Sequence, residues 1–302
     1  MQILIAGGTG FIGRHLAREL VDRDHDVTAL ARNPDPDVLP DSVTSVEGDV
    51  TDPDSLNSAF EGQDAVVNLV SLSPLFKPKG GDEQHDRIHR QGTQNCLAAA
   101  ESAGVGRFLQ LSALGADPDG PTHYIRAKGR AETLVRESTL DWTIVRPSVV
   151  FGEGDEFVGF TKRLKRMFAP GLPLYPLPGG GDKTRFQPIH VGDFVPILAA
   201  CLEDAAHSGQ TYEIGGPEVL TLREVTNLVY EAEGKSISIV PLPMALSKLG
   251  LTVMDVTPRV PLGRDQYRSL QFDNTVSEND IAIFGVDESE LLTLGAYLGR
   301  EQ

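Results

Sequence analysis

The stretch "ILIAGGTGFIGRHLAREL" near the start of the chain constrains the fold more than any other part of the sequence. Residues 2–6 predict a strand, and residues 11–23 have the apolar spacing of a helix. Gly7, Gly10 and Gly13 recur at three-residue spacing across this junction, so the backbone can approach a diphosphate at the helix N-terminus. A glycine pattern alone is a weak signal, but its position between strand and helix indicates a dinucleotide-binding turn.

The alternation of short β-branched runs with helical patterns continues to about residue 147. The further strand candidates are 26–30, 43–48, 65–70, 107–112 and 142–147, and the further helices are 54–61, 84–103 and 123–138. This rhythm predicts an α/β fold, a doubly wound parallel sheet of the Rossmann type.

The rhythm breaks where Pro and Gly cluster in 169–183, and it returns with a helix at 191–204 and a strand at 211–216. We predict an NAD(P)-binding Rossmann domain over 1–150, to which 187–215 returns. A smaller, mostly helical C-terminal substrate domain takes 151–186 and 216–302.

Composition excludes several classes of function. The net charge is -16 and the pI is about 4.8, which argues against nucleic acid and a general affinity for anionic membrane. No apolar run reaches the roughly 20 residues of a membrane span, and no basic leader precedes the first strand, so we expect a cytoplasmic protein without membrane insertion. Cys96 and Cys201 lie in apolar helical patterns and fit buried thiols in a reducing compartment.

Two further charge features are visible. The surface is acidic and poor in lysine, which resembles proteins of a high-salt, halophilic cytoplasm. The one basic cluster, "TKRLKRMF" at 161–168, leaves two readings open: contact with an anionic head group or partner protein, or a solvated helix face.

The choice of cofactor depends on the end of the second strand. A ribose-binding Asp or Glu is expected about 20 residues past the glycines, but Arg32 stands there. A guanidinium suits a 2′-phosphate, which favours NADP(H) over NAD(H). Pairing of Arg32 with Asp35 or Asp37 remains an alternative. Asp49 follows the third strand and either accepts a bond from the adenine amino group or caps the local turn.

Tyr124 and Lys128 are four residues apart on a predicted helix and therefore share one face. A phenol is a poor base at neutral pH, and an ammonium beside it lowers its pKa. The pair follows the fifth strand, where the carboxyl edge of the sheet meets the nicotinamide, so we predict a proton-delivery role. The segment "HDRIH" at 85–89 imitates a zinc motif, but no third ligand is evident, and we predict no metal.

The motifs "GGTGFIG", "GDVTD", "YIRAK", "RPSVVFG" and "FQPIHVGD", in this order, resemble those of the atypical and extended short-chain dehydrogenase/reductases, which include NAD-dependent epimerases and dehydratases. The tail "RDQYRSLQFDNTV" with "FGVDESEL" is more narrowly similar to the nucleotide-binding accessory subunit of respiratory complex I and its free-standing prokaryotic relatives. The resemblance covers nearly the whole chain.

The resemblance implies that Tyr124 is the acid/base and Lys128 its partner. The cofactor contacts that it implies are Gly7, Thr9, Gly10, Phe11 and Ile12 at the pyrophosphate, Asp49 and Val50 at adenine, Leu69, Val70 and Ser71 along the cofactor, and Pro147 near the nicotinamide. The family places a substrate-polarising Ser or Thr where this chain has Ala113 and Leu114. Ser112 is therefore the candidate substitute.

Two functions follow from these residues. The first is an NADP(H)-dependent oxidoreductase or epimerase that acts on a small molecule. The alternative is a non-catalytic nucleotide-binding accessory or redox-sensing protein with a peripheral protein partner. The Tyr–Lys pair favours the enzyme.

Overall fold

A seven-stranded sheet lies at the centre of the fold in the computed structural model, which describes residues 1–255 and 262–300. In chain order the strands are β1 Gln2–Ala6, β2 Asp26–Ala31, β3 Thr44–Glu47, β4 Ala65–Asn68, β5 Arg107–Leu111, β6 Asp141–Pro147, β7 Val150–Phe151, β8 Leu174–Pro178, β9 Arg185–Phe186, β10 Ile189–His190, β11 Gln210–Ile214, β12 Leu220–Thr221 and β13 Ser238–Leu242. The central sheet has the order β11-β6-β5-β4-β1-β2-β3, and neighbours from β3 to β6 pair in parallel.

This order confirms the doubly wound sheet. The chain reverses its direction of winding between β1 and β4, so the carboxyl ends of these two strands border the crevice where such sheets bind ligands. The predicted strands match the observed ones within about two residues, because buried parallel strands are marked by nearly continuous apolar runs.

The helices are α1 Phe11–Asp22, α2 Asn57–Phe60, α3 Gly92–Ala103, α4 His123–Glu137, α5 Phe157–Phe168, α6 Val191–Glu203, α7 Leu222–Glu231, α8 Met244–Asp255, α9 Arg264–Ser269 and α10 Leu294–Arg300. Helix α1 packs with α6, and α3 packs with α4. Alternate sheet residues such as Leu4, Val66 and Phe108 form one buried cluster with Cys96 of α3 and Val135 of α4.

Two predicted helices differ from the observed elements. The segment 54–61 is a short 3₁₀ turn at Pro53–Ser55 followed by α2. The segment 84–103 begins with a π-helical stretch, Asp86–Gln91, before α3. The wider π turn shifts the side-chain register of this helix, and apolar spacing alone does not reveal it. Both cysteines are buried and free, as expected.

The chain divides into two compact units. The first comprises Met1–Leu72, Lys79–Pro147 and Val191–Glu213, and the second comprises Ser73–Pro78, Ser148–His190 and Ile214–Gln302. The predicted C-terminal domain also includes 256–261 and 301–302, which lie outside the described residues. A substrate-binding role for the second unit stays a prediction.

Within its described residues, the second unit contains three two-stranded sheets that the sequence did not predict. Strand β10 pairs with β7 and β13 with β8, both in parallel, while β12 and β9 are antiparallel. Pro176 and Pro178 lie within β8, and this spacing of prolines indicates a loop when read from sequence alone. No helix in the described ranges, 1–255 and 262–300, combines the length and apolar content needed to cross a bilayer.

Candidate nucleotide and catalytic site

The glycine turn between β1 and α1 is held by backbone hydrogen bonds. The amides of Gly7 and Gly8 both donate to the carbonyl of Leu30, at 2.8 and 3.2 Å, and Gly10 N donates to Gly7 O at 3.0 Å. A Cβ on Gly13 would lie 2.3 Å from Gly7 O, so the crossing of turn and helix requires glycine. Gly10 caps α1 without a side chain, which leaves the helix N-terminus suited to an anionic group.

The end of β4 lies beside this turn. Leu69 N donates to the carbonyl of Ala6 at 2.9 Å, and a Cβ on Gly7 would lie 3.3 Å from Val70 N. Val70 N itself donates to Asn68 Oδ1 at 3.3 Å. The structure therefore brings three predicted cofactor residues, Gly7, Leu69 and Val70, to one edge of the sheet. Thr9, Phe11 and Ile12 are partly exposed at the same turn.

Arg32 directly follows β2 and is exposed. In the part of the chain that the structure describes, no carboxylate forms an ion pair with it. Asp35 instead accepts a bond from the amide of Asp37 at 3.1 Å and caps a 3₁₀ turn. The surface pair between Arg32 and these acids is therefore not formed.

Asp49 has a local role in the loop after β3. Its Oδ1 accepts bonds from both the amide and the hydroxyl of Thr51, each at 2.9 Å, which is the turn-capping alternative of the sequence analysis. Val50 is buried, and its carbonyl accepts a bond from Asn95 at 2.8 Å. A contact of Asp49 or Val50 with adenine stays a prediction.

Helix α4 presents Tyr124 and Lys128 on one face. The helix begins after Thr122, whose hydroxyl accepts a bond from Ile125 N at 3.2 Å. Lys128 is buried, and its Nζ donates to the carbonyl of Leu111 at 2.9 Å, at the end of β5. The same Nζ lies 5.8 Å from the centroid of the Tyr124 ring. The geometry thus joins the two predicted catalytic residues to the carboxyl end of the sheet.

The electrostatics of this pair differ from the sequence-based expectation. Burial raises the pKa of Tyr124 to about 12, and a hydrogen bond from Ser71 opposes only part of that increase. Burial also lowers the pKa of Lys128 to about 8, although the nearby Glu132 carboxylate opposes this change. Desolvation disfavours the charged form of both groups and outweighs the opposing effects of Ser71 on Tyr124 and of Glu132 on Lys128. Tyr124 is therefore a protonated phenol at neutral pH.

Two histidines pack around Tyr124, and the sequence analysis did not assign them to the site. The rings of His85 and His89 stack 5.6 Å apart at 10°, and both meet the Tyr124 ring edge to face. His89 Nε2 accepts a bond from Leu72 N at 3.4 Å, next to Ser71. Burial first, then the charges of Lys128 and His85, lower the pKa of His89. The spacing of "HDRIH" indicated that its two histidines share one helix face, but it did not indicate that Tyr124 of α4 packs against them.

Ser112 does not lie with Tyr124 in a hydrogen-bonded group. Its hydroxyl donates to Glu132 Oε1 at 2.5 Å, and Arg146 donates to both oxygens of that buried carboxylate, at 2.8 and 2.6 Å. The hydrogen bonds with Glu132 raise the pKa of Arg146. A catalytic role for Ser112 stays a prediction. The bond to Glu132 does not favour this role, because the hydroxyl already donates its proton to that carboxylate.

Pro147, buried at the end of β6, accepts a weak bond from Leu114 N at 3.4 Å.

Comparisons with known proteins agree with the Rossmann-type fold and the nucleotide-binding family. Residues 7–165 match the model of a family described as NAD(P)H-binding. The mitochondrial NADH dehydrogenase (ubiquinone) 1 alpha subcomplex subunit 9 of Arabidopsis thaliana is 29% identical over 300 residues, covering 94% of this chain and 73% of the relative. The 2-alkyl-3-oxoalkanoate reductase of Stenotrophomonas maltophilia is 30% identical over 257 residues, covering 78% of this chain and 76% of the relative.

Among solved structures, a nucleoside-diphosphate-sugar epimerase from Staphylococcus aureus aligns with a TM-score of 0.75 at 20% identity, covering 99% of this chain and 100% of that chain. At this identity the likeness shows the fold alone. The matched family model begins at the glycine turn and extends past the Tyr–Lys helix. The chain belongs to the NAD(P)H-binding family and has a Rossmann-type domain similar to that of complex I subunit 9 and of atypical short-chain dehydrogenase/reductases.

Proposed function

We propose that this protein is an NADP(H)-dependent oxidoreductase or epimerase of the atypical short-chain dehydrogenase/reductase type, working chiefly as a reductase of a small carbonyl compound. The observation that carries the proposal is the position of Tyr124. Its hydroxyl hydrogen-bonds Ser71, directly after Val70 at the glycine turn, and Lys128 lies on the same helix face.

The residues at the sheet edge fit a pyridine dinucleotide. The compact glycine turn, which a Cβ at Gly13 would fill, would receive the pyrophosphate at the N-terminus of α1. Leu69, Val70 and Ser71 would lie along the cofactor. When bound in its reduced form, the cofactor supplies a hydride to the carbonyl carbon.

The protein's own side chains supply the proton that the carbonyl oxygen receives. Because the pKa of Tyr124 is raised to about 12, the phenol keeps its proton at neutral pH and can donate it to a carbonyl oxygen as that oxygen becomes negative. Lys128 remains largely an ammonium below its pKa of about 8 and stabilises the phenolate that is left. Ser71, hydrogen-bonded to Tyr124, would polarise the substrate in place of Ser112, whose hydroxyl is bonded to Glu132.

Arg32 supports the preference for NADP(H). An exposed guanidinium at the end of β2, without an ion-pair partner in the described residues, is available to a 2′-phosphate. Replacing Arg32 with Glu should weaken NADPH binding by about 10- to 100-fold, the worth of a charge-assisted hydrogen bond. NADH binding should change by less than about threefold. Fluorescence titration of both nucleotides measures the effect, and stronger NADH than NADPH binding by the unmodified protein would refute the preference.

Oxidation of NADPH, followed across 3-oxo acids, simple ketones, aldehydes and nucleotide sugars, tests the activity. With any substrate found, Tyr124→Phe should lower kcat/KM by about 100-fold or more, the usual contribution of a general acid. Its NADPH affinity should stay within about twofold, because the ring and its packing are kept. Undiminished turnover by Tyr124→Phe would show that another group donates the proton.

A second candidate function has one specific observation in its favour. The hydroxyl of Ser112 is held by Glu132, and Ala113 and Leu114 offer no hydroxyl in its place. Tyr124 and Lys128 would then serve as cofactor ligands in a non-catalytic accessory or redox-sensing protein, as the likeness to the complex I subunit suggests. Affinity capture from native extract separates the two functions, since stoichiometric recovery of respiratory subunits is expected only for the second.

A further inference from the structure

Two segments of the second unit contain no acidic residue in an otherwise acidic chain. The whole chain has 43 acidic and 27 basic residues, but residues 157–181 and 234–254 contain no Asp or Glu. Their basic residues are Lys162, Arg163, Lys165, Arg166, Lys235 and Lys248. Strands β8 and β13 pair the two segments in parallel, with Leu174 opposite Ser238, so the two segments meet in one two-stranded sheet.

The same segments hold most of the exposed apolar side chains. Of the ten exposed large hydrophobic residues in the described ranges, seven belong to them. Four are in the first segment: Met167, Phe168, Leu172 and Leu174. Three are in the second: Val240, Leu246 and Leu249. We call the exposed residues of 157–181 and 234–254 the basic–apolar surface.

These exposed side chains are not part of the buried core. The inner face of the β8–β13 pair buries Tyr175 and Leu177, while Leu174 on the opposite face is 39% exposed. On α5, Phe157 and Thr161 are the buried residues, and the Tyr175 hydroxyl donates to Thr161 O at 2.9 Å. The outward residues are therefore available to a partner, and a large exposed apolar patch commonly marks a binding surface.

Only some of the cations on α5 have a partner among the described residues. Lys162 pairs with Glu233 at 2.8 Å, and the Arg163 guanidinium lies 4.3 Å from the centroid of the Phe76 ring. Lys165 and Arg166, on the last turn, form no ion pair with any described residue. They directly precede Met167 and Phe168, so uncompensated cations and exposed apolar side chains lie together at the end of the helix.

We propose that the basic–apolar surface docks the protein on an anionic lipid surface. Interfacial binding uses cations at the level of the head groups and apolar side chains that enter the acyl boundary, and no spanning helix is needed. The charge complementarity is local, because neither segment contains an acidic residue although the net charge of the whole chain is -16. This activity is additional to the proposed reductase chemistry and involves none of its residues.

Cosedimentation of the full chain with vesicles tests the proposal. Binding is expected to mixed phosphatidylglycerol and phosphatidylcholine vesicles, to weaken as salt is raised, and to be absent with pure phosphatidylcholine. The double variant Lys165→Gln/Arg166→Gln should bind about 25-fold more weakly, at about fivefold per charge. Phe168→Ser/Leu172→Ser should lose about tenfold or more through the apolar contribution.

A matched control removes the same charge elsewhere. Lys79→Gln/Arg87→Gln changes two exposed cations of the first unit and should bind within about twofold of the unmodified protein. Equal losses in both double variants would reduce the effect to overall charge and overturn the proposal. Absence of pelleting with anionic vesicles at low salt would also overturn it. A dimer that Phe168→Ser/Leu172→Ser dissociates, without lipid binding, would instead identify the surface as an interface between two copies.

Discussion

The ring of His89 lies edge to face against the ring of Tyr124, with centroids 5.3 Å apart and planes at 86°. His89 also accepts a bond from the amide of Leu72 at 3.4 Å, so one buried side chain contacts both the proposed acid and the residue after Ser71. Its pKa is lowered by burial, so the ring is neutral at neutral pH and does not compete with Lys128 for the phenolate. We infer that His89 is a positioning residue for the proposed proton donor.

Replacing His89 should loosen the proton donor without touching the nucleotide turn. We expect His89→Leu to lower kcat by about tenfold or more, because misplaced catalytic groups lose effective concentration, with NADPH affinity little changed. His89→Gln keeps an acceptor for Leu72 N and should recover part of the loss. Steady-state kinetics with nucleotide titration checks this, and equal kcat for His89→Leu and the unmodified protein would contradict the positioning role.

Ser112 and Ser71 should respond oppositely to the loss of their hydroxyl groups. Ser112→Ala removes a bond to a buried carboxylate and should lower the free energy of unfolding by about 1.5–3 kcal/mol, with kcat/KM little altered. Ser71→Ala, at an exposed position, should leave stability within about 0.5 kcal/mol. It should nevertheless lower kcat/KM, because the hydroxyl bonded to Tyr124 is lost. Urea denaturation and steady-state kinetics on both variants test this prediction. A loss of kcat/KM in Ser112→Ala but not in Ser71→Ala would return the catalytic role to Ser112.

The nucleotide-binding half was predictable because its signals are local in sequence. The turn at Gly7, Gly10 and Gly13 and the Tyr124–Lys128 spacing each lie within one or two adjacent elements, where periodicity reports directly on structure. The parallel strands were equally visible as apolar runs. The short strands of the second unit escaped prediction, since their pairing depends on partners far along the chain.

The chemistry of the site was less predictable because it depends on burial and distant partners. The pKa of Tyr124 rises rather than falls, since desolvation by the folded chain exceeds the effect of the hydrogen bond from Ser71. Ser112 turns to Glu132, twenty residues away, and His89 meets a tyrosine on another helix. Pattern reasoning placed each residue on an element but did not reveal which side chain it would meet.

The crossing of the glycine turn and α1 should tolerate no side chain. In Gly13→Ala, the Cβ would lie 2.3 Å from Gly7 O and 2.8 Å from the backbone of Gly8, and neither can move without opening the turn. We expect a loss of about 1–3 kcal/mol in the free energy of unfolding, the usual cost of overpacking, together with a loss of nucleotide binding. Gly159→Ala in α5 is the control. Its Cβ meets nothing within 4 Å, so stability should hold or rise by about 0.5–1 kcal/mol. Normal nucleotide affinity in Gly13→Ala would show that the turn does not hold the pyrophosphate.

The buried ammonium of Lys128 should make stability depend on pH in a definite direction. Its pKa falls from 10.5 to about 8 on folding, so between these values the unfolded chain binds more protons at this residue than the folded chain. The contribution of Lys128 to the free energy of unfolding should therefore rise with pH across that window, by up to about 3 kcal/mol, and stay constant below pH 8. Urea denaturation of the unmodified protein and of Lys128→Met at several pH values isolates this effect, because other titrating groups are common to both. The difference in stability should shift in favour of the unmodified protein as the pH increases from 8 towards 10. A difference that does not change over this range would mean that Lys128 is solvated in the folded protein, and the stabilisation of the Tyr124 phenolate by a desolvated ammonium would have to be abandoned.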